Sequence, residues 1–177
     1  LIGQIDAGAE AVMLFDSWAG LLPPSQFRRY VIAPTRRIVA RINEARPHVK
    51  IIGFPRLAGL MAVESARETG IQALACDTGT DLAQIAPLVP ETLALQGNLD
   101  PLILKAGGET MVHEARTIRD SMRGRPPIFN LGHGVVPETP PGPVEAPVHA
   151  VRHVGNAPSS PVPPLHTLRM AGSARSS

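Results

Sequence analysis

The sequence predicts an α/β fold in which parallel strands alternate with helices, and three observations support this prediction. Five short apolar runs have the length of β-strands, and longer segments with helical periodicity lie between them. The runs are apolar throughout rather than alternating with polar residues, which is typical of strands buried on both faces of a parallel sheet. The sequence therefore indicates consecutive β/α units, arranged either as an open doubly wound sheet or as a closed barrel.

Each predicted strand is an apolar run followed by polar or turn-forming residues. The five runs cover residues 11–15, 50–54, 73–76, 93–96 and 128–131. Between the first two runs, apolar residues at helical spacing predict a helical segment over residues 25–44. Pro34 is expected to divide this segment into two helices, because proline lacks the backbone N–H that a helix interior needs. Further helices are predicted over residues 60–68, 81–88 and 109–122.

Length and composition limit the classes of protein to which the chain can belong. Its 177 residues suffice for one domain, and a hydrophobic content of 44% excludes global disorder. Its apolar runs are far shorter than the ~18 residues that a membrane span requires. The single cysteine, Cys76, excludes an internal disulfide and a Cys-rich zinc cluster, so we expect a cytoplasmic protein.

The net charge of +2 gives no indication of a nucleic-acid partner. Residues 1–143 contain 14 Lys and Arg and 14 Asp and Glu, so the whole positive excess lies beyond them. From residue 156 to residue 177 the chain is rich in Pro and Ser and has neither helical nor strand periodicity. We therefore predict a folded domain over residues 1–151 and a disordered tail over residues 152–177. Because the chain begins at Leu1 without an initiator Met, we also expect it to be part of a longer parent protein.

Polar residues are concentrated directly after each predicted strand. The five segments are Asp16-Ser17-Trp18, Pro55-Arg56, Asp77-Thr78, Gln96-Gly97-Asn98 and Gly132-His133-Gly134. In parallel α/β folds the carboxyl ends of strands carry the functional groups, but the same residue types also form turns and cap helices. For any one loop, turn formation is the simpler interpretation. The recurrence of the pattern after five strands favours a functional edge.

Four sequence strings together carry a resemblance to a known family. They are Ala-Gly-Ala-Glu-Ala-Val-Met-Leu-Phe-Asp-Ser-Trp-Ala-Gly (7–20), Ala-Cys-Asp-Thr (75–78), Leu-Gln-Gly-Asn-Leu-Asp-Pro (95–101), and Phe-Asn-Leu-Gly-His-Gly (129–134) followed by Pro-Glu-Thr-Pro-Pro (137–141). Over residues 3–143 the chain resembles the C-terminal half of the uroporphyrinogen decarboxylase family. The resemblance implies about five β/α units of a distorted (β/α)8 barrel, namely the last five of its eight strands.

The resemblance also implies a reaction in porphyrin and heme biosynthesis. Members of the family are carboxy-lyases that decarboxylate the four acetate side chains of uroporphyrinogen III, giving coproporphyrinogen III without a metal or organic cofactor. Protonation of the pyrrole carbon next to the side chain makes the ring an electron sink, so the bond to CO2 can break. Family members form homodimers, so we expect a tetrapyrrole substrate and a second copy of the chain as partners, and no membrane.

Two substrate-binding residues follow from the matched strings. Ser17 matches a position where the family has Ser or Thr in contact with a substrate carboxylate, although the local sequence alone favours a helix-capping serine. His133 matches the family's active-site histidine, and its flanking glycines allow a sharp turn that holds the imidazole in the cavity. Asp77 is expected to shape the cavity, and Arg56 either to be solvated or to attract carboxylates. In the family, the first three β/α units supply the other site residues, and the resemblance does not cover these units. We therefore assign no catalytic or metal-binding residue.

Three functions remain open at this point. The leading hypothesis is a partial uroporphyrinogen decarboxylase with little or no activity as an isolated chain. The second is a related zinc- and corrinoid-dependent methyltransferase barrel, which needs His and Cys ligands near the strand ends. The third is a noncatalytic fragment that keeps a tetrapyrrole-binding half-site or an assembly surface, because an open sheet edge has unpaired backbone groups.

The sequence departs from the family pattern after Pro141. The family continues there into a terminal helix that closes the barrel. In this chain Gly142, Pro143 and Pro147 interrupt the helical pattern, which leaves the last helix in doubt.

Overall fold

The strands lie close to the positions that the sequence predicts, in a computed structural model that describes residues 1–139 and 142–152. Their bounds are Ala11–Asp16 for β1, Lys50–Pro55 for β2, Ala73–Ala75 for β3, Ala94–Leu99 for β4 and Pro127–Leu131 for β5. They form one parallel five-stranded sheet in the order β1-β2-β3-β4-β5. Neighbours in the sequence are thus neighbours in the sheet. This order is that of a barrel segment rather than a doubly wound sheet, which confirms the predicted partial barrel.

Helices connect the strands, as parallel pairing requires. The bounds are Ile2–Asp6 for α1, Pro24–Phe27 for α2, Ala33–Ala45 for α3, Met61–Thr69 for α4, Leu82–Ile85 for α5, Pro101–Ala106 for α6, Gly108–Ser121 for α7 and Gly142–Arg152 for α8. No helix in the described residues is long and apolar enough to cross a membrane. Residues 153–177 lie outside the described residues, so the disorder of the tail stays a prediction.

The two faces of the sheet have different environments. The main hydrophobic core lies between the sheet and the helices and includes the strand residues Val12, Ile51, Leu74 and Leu95. On the opposite, inner face, the Gln96 side chain approaches Met13, with 3.7 Å between Nε2 and Sδ. Since side chains alternate between faces along a strand, the residues next to the core positions form this inner face.

Burial also differs between the centre and the outer strands of the sheet. All three residues of β3 are buried, whereas Phe15 in β1 is 69% exposed and Ile128 in β5 is 37% exposed. The prediction of strands buried on both faces is therefore correct for β3 and wrong for β1 and β5. The physical reason is position, because each outer strand pairs on one side only within the described residues.

The predicted break at Pro34 takes a different form in the structure. The chain stays helical from α2 through a π-helical turn, Arg28–Ile32, directly into α3, whose second residue is Pro34. A π turn shifts the hydrogen-bond pattern by one residue, which accommodates the N–H that Pro34 lacks. A local change of helix type thus replaces the expected separation into two helices.

The last helix, which the sequence leaves in doubt, is present as α8. Gly142 and Pro143 occupy its first turn, where backbone N–H groups have no intrahelical acceptor in any case. Pro147 lies inside the helix and removes one hydrogen bond. Packing compensates for this loss, because Ala146 contacts a second hydrophobic cluster around Leu104 and Met111, and Ala150 is buried.

Candidate functional site

The five polar segments of the sequence lie at one edge of the molecule. Because all five strands are parallel, the segments at their carboxyl ends share one edge of the sheet. The prediction that Gln96-Gly97-Asn98 follows its strand is wrong, because β4 continues to Leu99 and contains this segment. Ser17 directly follows β1 and His133 lies two residues after β5, so three strands separate them. Both residues are exposed. The structure therefore brings the two predicted binding residues to the same edge, at its opposite ends.

Backbone hydrogen bonds hold the loops after β1 and β2 together. The Arg56 N–H donates to the Asp16 carbonyl over 3.0 Å, and the Gly20 N–H donates to the Arg56 carbonyl over 2.9 Å. Gly20 packs so closely that a Cβ atom there would overlap the carbonyl group of Leu57. The position of Ser17, between Asp16 and Gly20, is thus fixed by the loop after the next strand.

Asp77 connects the loops after β2 and β3. Its Oδ2 accepts a hydrogen bond from the Leu57 N–H over 2.5 Å, and its Oδ1 accepts from the Gly79 N–H and the Thr80 hydroxyl over 3.1 and 3.0 Å. The residue is only 7% exposed. A buried carboxylate needs such donors to offset its lost hydration, so Asp77 is a structural centre of this edge. This geometry agrees with the predicted cavity-shaping role.

Asn98 and Gly132 extend the connection to the last two strands. The Asn98 Nδ2 donates to the Asp77 and Thr80 carbonyls over 2.7 and 2.5 Å, and Asn98 is buried. A Cβ atom on Gly132 would lie 2.8 Å from the Asp77 carbonyl carbon, so only glycine fits there without a shift. Consecutive contacts therefore run across the whole edge. We call the residues that make them the rim network: Arg56, Leu57, Asp77, Asn98 and Gly132.

The two binding candidates lie at the ends of the rim network and leave their side chains free for a ligand. Within the described residues, neither the Ser17 hydroxyl nor the His133 imidazole makes a hydrogen bond or ion pair. Ser17 does not cap a helix, since the short 3-10 turn Ala19–Leu21 begins after Trp18 and has no side-chain cap. The helix-capping interpretation of Ser17 is therefore wrong. The roles of both residues in binding remain predictions.

An aromatic pair lies near Ser17, and it is not among the site residues that the sequence predicts. Phe15 and Phe54 are partners in the register of β1 and β2, and their rings meet edge to face with centroids 5.9 Å apart. Phe15 is 69% exposed on the inner face, one strand position from the site. The signal in the sequence was an aromatic residue one position before the end of two neighbouring strands. An exposed ring there can pack against a flat apolar ligand.

Cys76 lies at the centre of the same edge, but its thiol is buried and unreactive. Burial raises the pKa of its thiol from 9.0 to about 12, with a smaller contribution from the neighbouring Asp77 charge. At neutral pH the thiol is therefore protonated, and a protonated thiol neither attacks electrophiles nor binds zinc well. Within the described residues, no group of three or more His, Cys, Asp and Glu side chains is arranged to hold a metal ion.

Most of the chain matches a known family model. The model described as uroporphyrinogen decarboxylase (URO-D) covers residues 1–154. The chain belongs to the uroporphyrinogen decarboxylase family. It is 66% identical over 154 residues to a uroporphyrinogen decarboxylase of Gluconacetobacter diazotrophicus, and 63% identical over 157 residues to that of Gluconobacter oxydans. In both cases 87% of this chain aligns with 44% of the relative, so the chain spans less than half the length of these relatives.

The fold of this uroporphyrinogen decarboxylase family chain is also similar to a solved methyltransferase from Methanosarcina mazei. The TM-score is 0.66 over 84% of this chain and 43% of the other chain. At 18% identity this similarity concerns the fold alone. It supports the partial barrel and carries no information about methyl transfer.

Proposed function

We propose that this chain forms a carboxylate-binding part of the cleft of a uroporphyrinogen decarboxylase. The reaction of the whole enzyme is the cofactor-free decarboxylation of the four acetate side chains of uroporphyrinogen III to coproporphyrinogen III. In this proposal the Ser17 hydroxyl and the His133 imidazole donate hydrogen bonds to substrate carboxylates. The exposed Phe15 ring packs against the pyrrole rings, which are apolar on their faces.

The observation that carries the proposal is the arrangement of the carboxyl edge. The rim network connects the carboxyl ends of β2 to β5 and is bonded through Arg56 to the loop after β1, while the polar side chains of Ser17 and His133 stay exposed at the two ends of this edge. A substrate with eight carboxylates on a wide ring needs anchors that are spaced widely and held rigidly. Anchors that follow the two outer strands of the sheet, held by one connected framework, meet this requirement.

We also propose that the 177-residue chain does not turn over its substrate alone. Its described part supplies five strands, whereas a (β/α)8 barrel encloses its cleft with eight. The polar groups described at the edge can hold carboxylates, but their buried acid, Asp77, accepts hydrogen bonds at both carboxylate oxygens and is not free to protonate a pyrrole carbon. Binding without turnover is therefore the expected behaviour.

Two measurements on the purified chain test these proposals. Titration with uroporphyrin, followed by its fluorescence, should give saturable binding, and coproporphyrin should bind more weakly because it has four carboxylates instead of eight. Anaerobic incubation with uroporphyrinogen III, followed by chromatography of the oxidised porphyrins, should give no coproporphyrin. Absence of uroporphyrin binding contradicts the proposed function. Formation of coproporphyrin contradicts only the inactivity of the isolated chain.

A methyltransferase function has weaker support. The similarity to the Methanosarcina mazei structure concerns the fold alone, and Cys76, the thiol that a zinc site would need, is buried with a raised pKa. One mole of zinc per mole of chain after purification and dialysis would favour this alternative over the decarboxylase cleft.

A further inference from the structure

Arg56 is the positively charged member of the rim network, and its side chain has no opposite charge beside it. Within the described residues, no carboxylate lies within 4.0 Å of its guanidinium, although Arg28, Arg36 and Arg46 all form ion pairs. Its Nη1 donates to the Ser17 carbonyl over 3.4 Å, which places the guanidinium against the loop that carries the Ser17 hydroxyl. The positive charge of Arg56 is thus both uncompensated and adjacent to a predicted carboxylate contact.

The surroundings of Arg56 leave its charge available for a ligand. Two acidic residues at this edge already accept hydrogen bonds from the backbone, since Asp16 accepts from the Trp18 N–H and Asp77 accepts from the Leu57 N–H. The Nε of Arg56 is buried and has no hydrogen-bond partner. A buried N–H donor without an acceptor is rare in folded proteins and points to a missing partner. A carboxylate that reaches the guanidinium can supply that acceptor when the side chain turns toward it.

The backbone of Arg56 is more firmly held than its side chain. Its N–H and carbonyl are bonded to Asp16 and Gly20, so the residue cannot leave the edge without breaking both loops apart. The side chain is only half-buried and ends beside an exposed loop. A fixed backbone with an adjustable charged end is suited to anion binding, because little positional freedom is lost when the ligand arrives.

From this geometry we infer that Arg56 is a further substrate-binding residue, which shares with Ser17 one carboxylate of the tetrapyrrole. The inference rests on the proposed function and adds the group that supplies charge at the Ser17 end of the edge. A hydroxyl gives one neutral hydrogen bond, whereas a guanidinium gives a charged and directional one. Arg56 therefore contributes more to affinity than Ser17, and its contribution depends on ligand charge.

The test is a fluorescence titration of the full 177-residue chain with uroporphyrin at pH 7.5 and physiological salt. Arg56→Gln, which keeps a donor for the Ser17 carbonyl but loses the charge, should weaken binding about tenfold or more. Arg56→Lys should restore affinity to within about threefold of the original chain. The matched control is Arg37→Gln, which removes the same charge from an exposed position on α3 and should leave affinity unchanged.

A pH profile separates binding from a merely structural role. In Arg56→His, affinity should increase from pH 8 to pH 6 by more than in the original chain, because the imidazole gains its charge in this interval. Arg56→His and Arg56→Lys also carry the test if Arg56→Gln fails to fold, as judged by circular dichroism. Equal affinity in Arg56→Gln and Arg37→Gln, or an unchanged pH profile in Arg56→His, overturns the inference.

The outcomes distinguish this inference from the proposed function. If Ser17→Ala weakens uroporphyrin binding while the Arg56 variants do not, Arg56 is no ligand and the proposed function stands. If the original chain binds no uroporphyrin, both the proposed function and the role of Arg56 are overturned.

Discussion

The polar side chains at the centre of the carboxyl edge differ from those at its two ends in burial and in hydrogen bonding. At the centre, Asp77 and Asn98 are buried, and their side chains are hydrogen-bonded to other residues of the chain. At the ends, Ser17 and His133 are exposed. Buried polar groups must be paired to offset desolvation, so they stabilise a geometry but cannot serve a ligand. Exposed polar groups on a fixed framework are available to bind a ligand. The difference shows which polar residues of one edge hold the site and which are free to bind.

The strongest test of the closed centre uses the reactivity of Cys76. Its pKa of about 12, against an ordinary value of 9.0, leaves about a thousandfold less thiolate at neutral pH. Modification by a disulfide reagent should therefore be about a thousandfold slower in the folded chain than in urea. If Cys76 in the folded chain were modified at a rate within tenfold of its rate in urea, the centre of the edge would be open to water.

The same shift predicts how stability depends on pH. The folded thiol stays protonated up to about pH 12, whereas the unfolded thiol ionises near 9.0. The contribution of Cys76 to stability is therefore fully present below pH 9 and is lost as the pH rises from 9 toward 12. Urea unfolding of the original chain and of Cys76→Ala at several pH values between 8 and 11 measures this difference. A Cys76→Ala chain with the same pH dependence as the original contradicts the prediction.

Removal of the central carboxylate should be the most damaging single change to the framework. Asp77→Ala leaves the Leu57 and Gly79 N–H groups and the Thr80 hydroxyl without their acceptor, so we expect a loss of about 3 kcal/mol in the free energy of unfolding. The matched control is Asp81→Ala, which removes one exposed helix cap bonded to the Ala83 N–H and should cost about 1 kcal/mol. Urea unfolding followed by circular dichroism measures both, and equal losses contradict the special role of Asp77.

The two glycines beside His133 allow a sharper version of the same comparison. Gly132→Ala places a Cβ against the backbone of Asp77 and Thr78, and the resulting overlap should cost about 2 kcal/mol. Gly134→Ala meets nothing within 4 Å and should change stability by less than about 0.5 kcal/mol. The two variants differ by two positions in the same loop. Similar unfolding midpoints for both would show that the end of the edge is not packed against the centre as described.

The strands and the location of the site could be predicted from the sequence because both depend on local pattern. Each strand is an apolar run, and the polar residues after it mark the edge where function is expected. The rim network could not be predicted, because the contact of Leu57 with Asp77 joins residues 20 positions apart in sequence. Local patterns contain no information about which distant donor meets a buried carboxylate.

Helix α8 and the exposure of the outer strands show a different limit of sequence reasoning. Pro147 carries a strong local signal against a helix, but packing of Ala146 and Ala150 outweighs it. Phe15 and Ile128 carry a strong local signal for burial, but their strands are the outer ones. In both cases the position of the element in the tertiary structure determines the outcome. The local sequence carries no information about that position.

The central claim is that the two ends of the carboxyl edge bind one ligand. Titration of the 15N-labelled chain with uroporphyrin, followed by amide resonances, measures this directly. The account predicts that amides around Ser17 and around His133 shift together with a single dissociation constant, while amides of the outer helix α3 do not. Shifts in only one of the two loops, or two different dissociation constants, would contradict it.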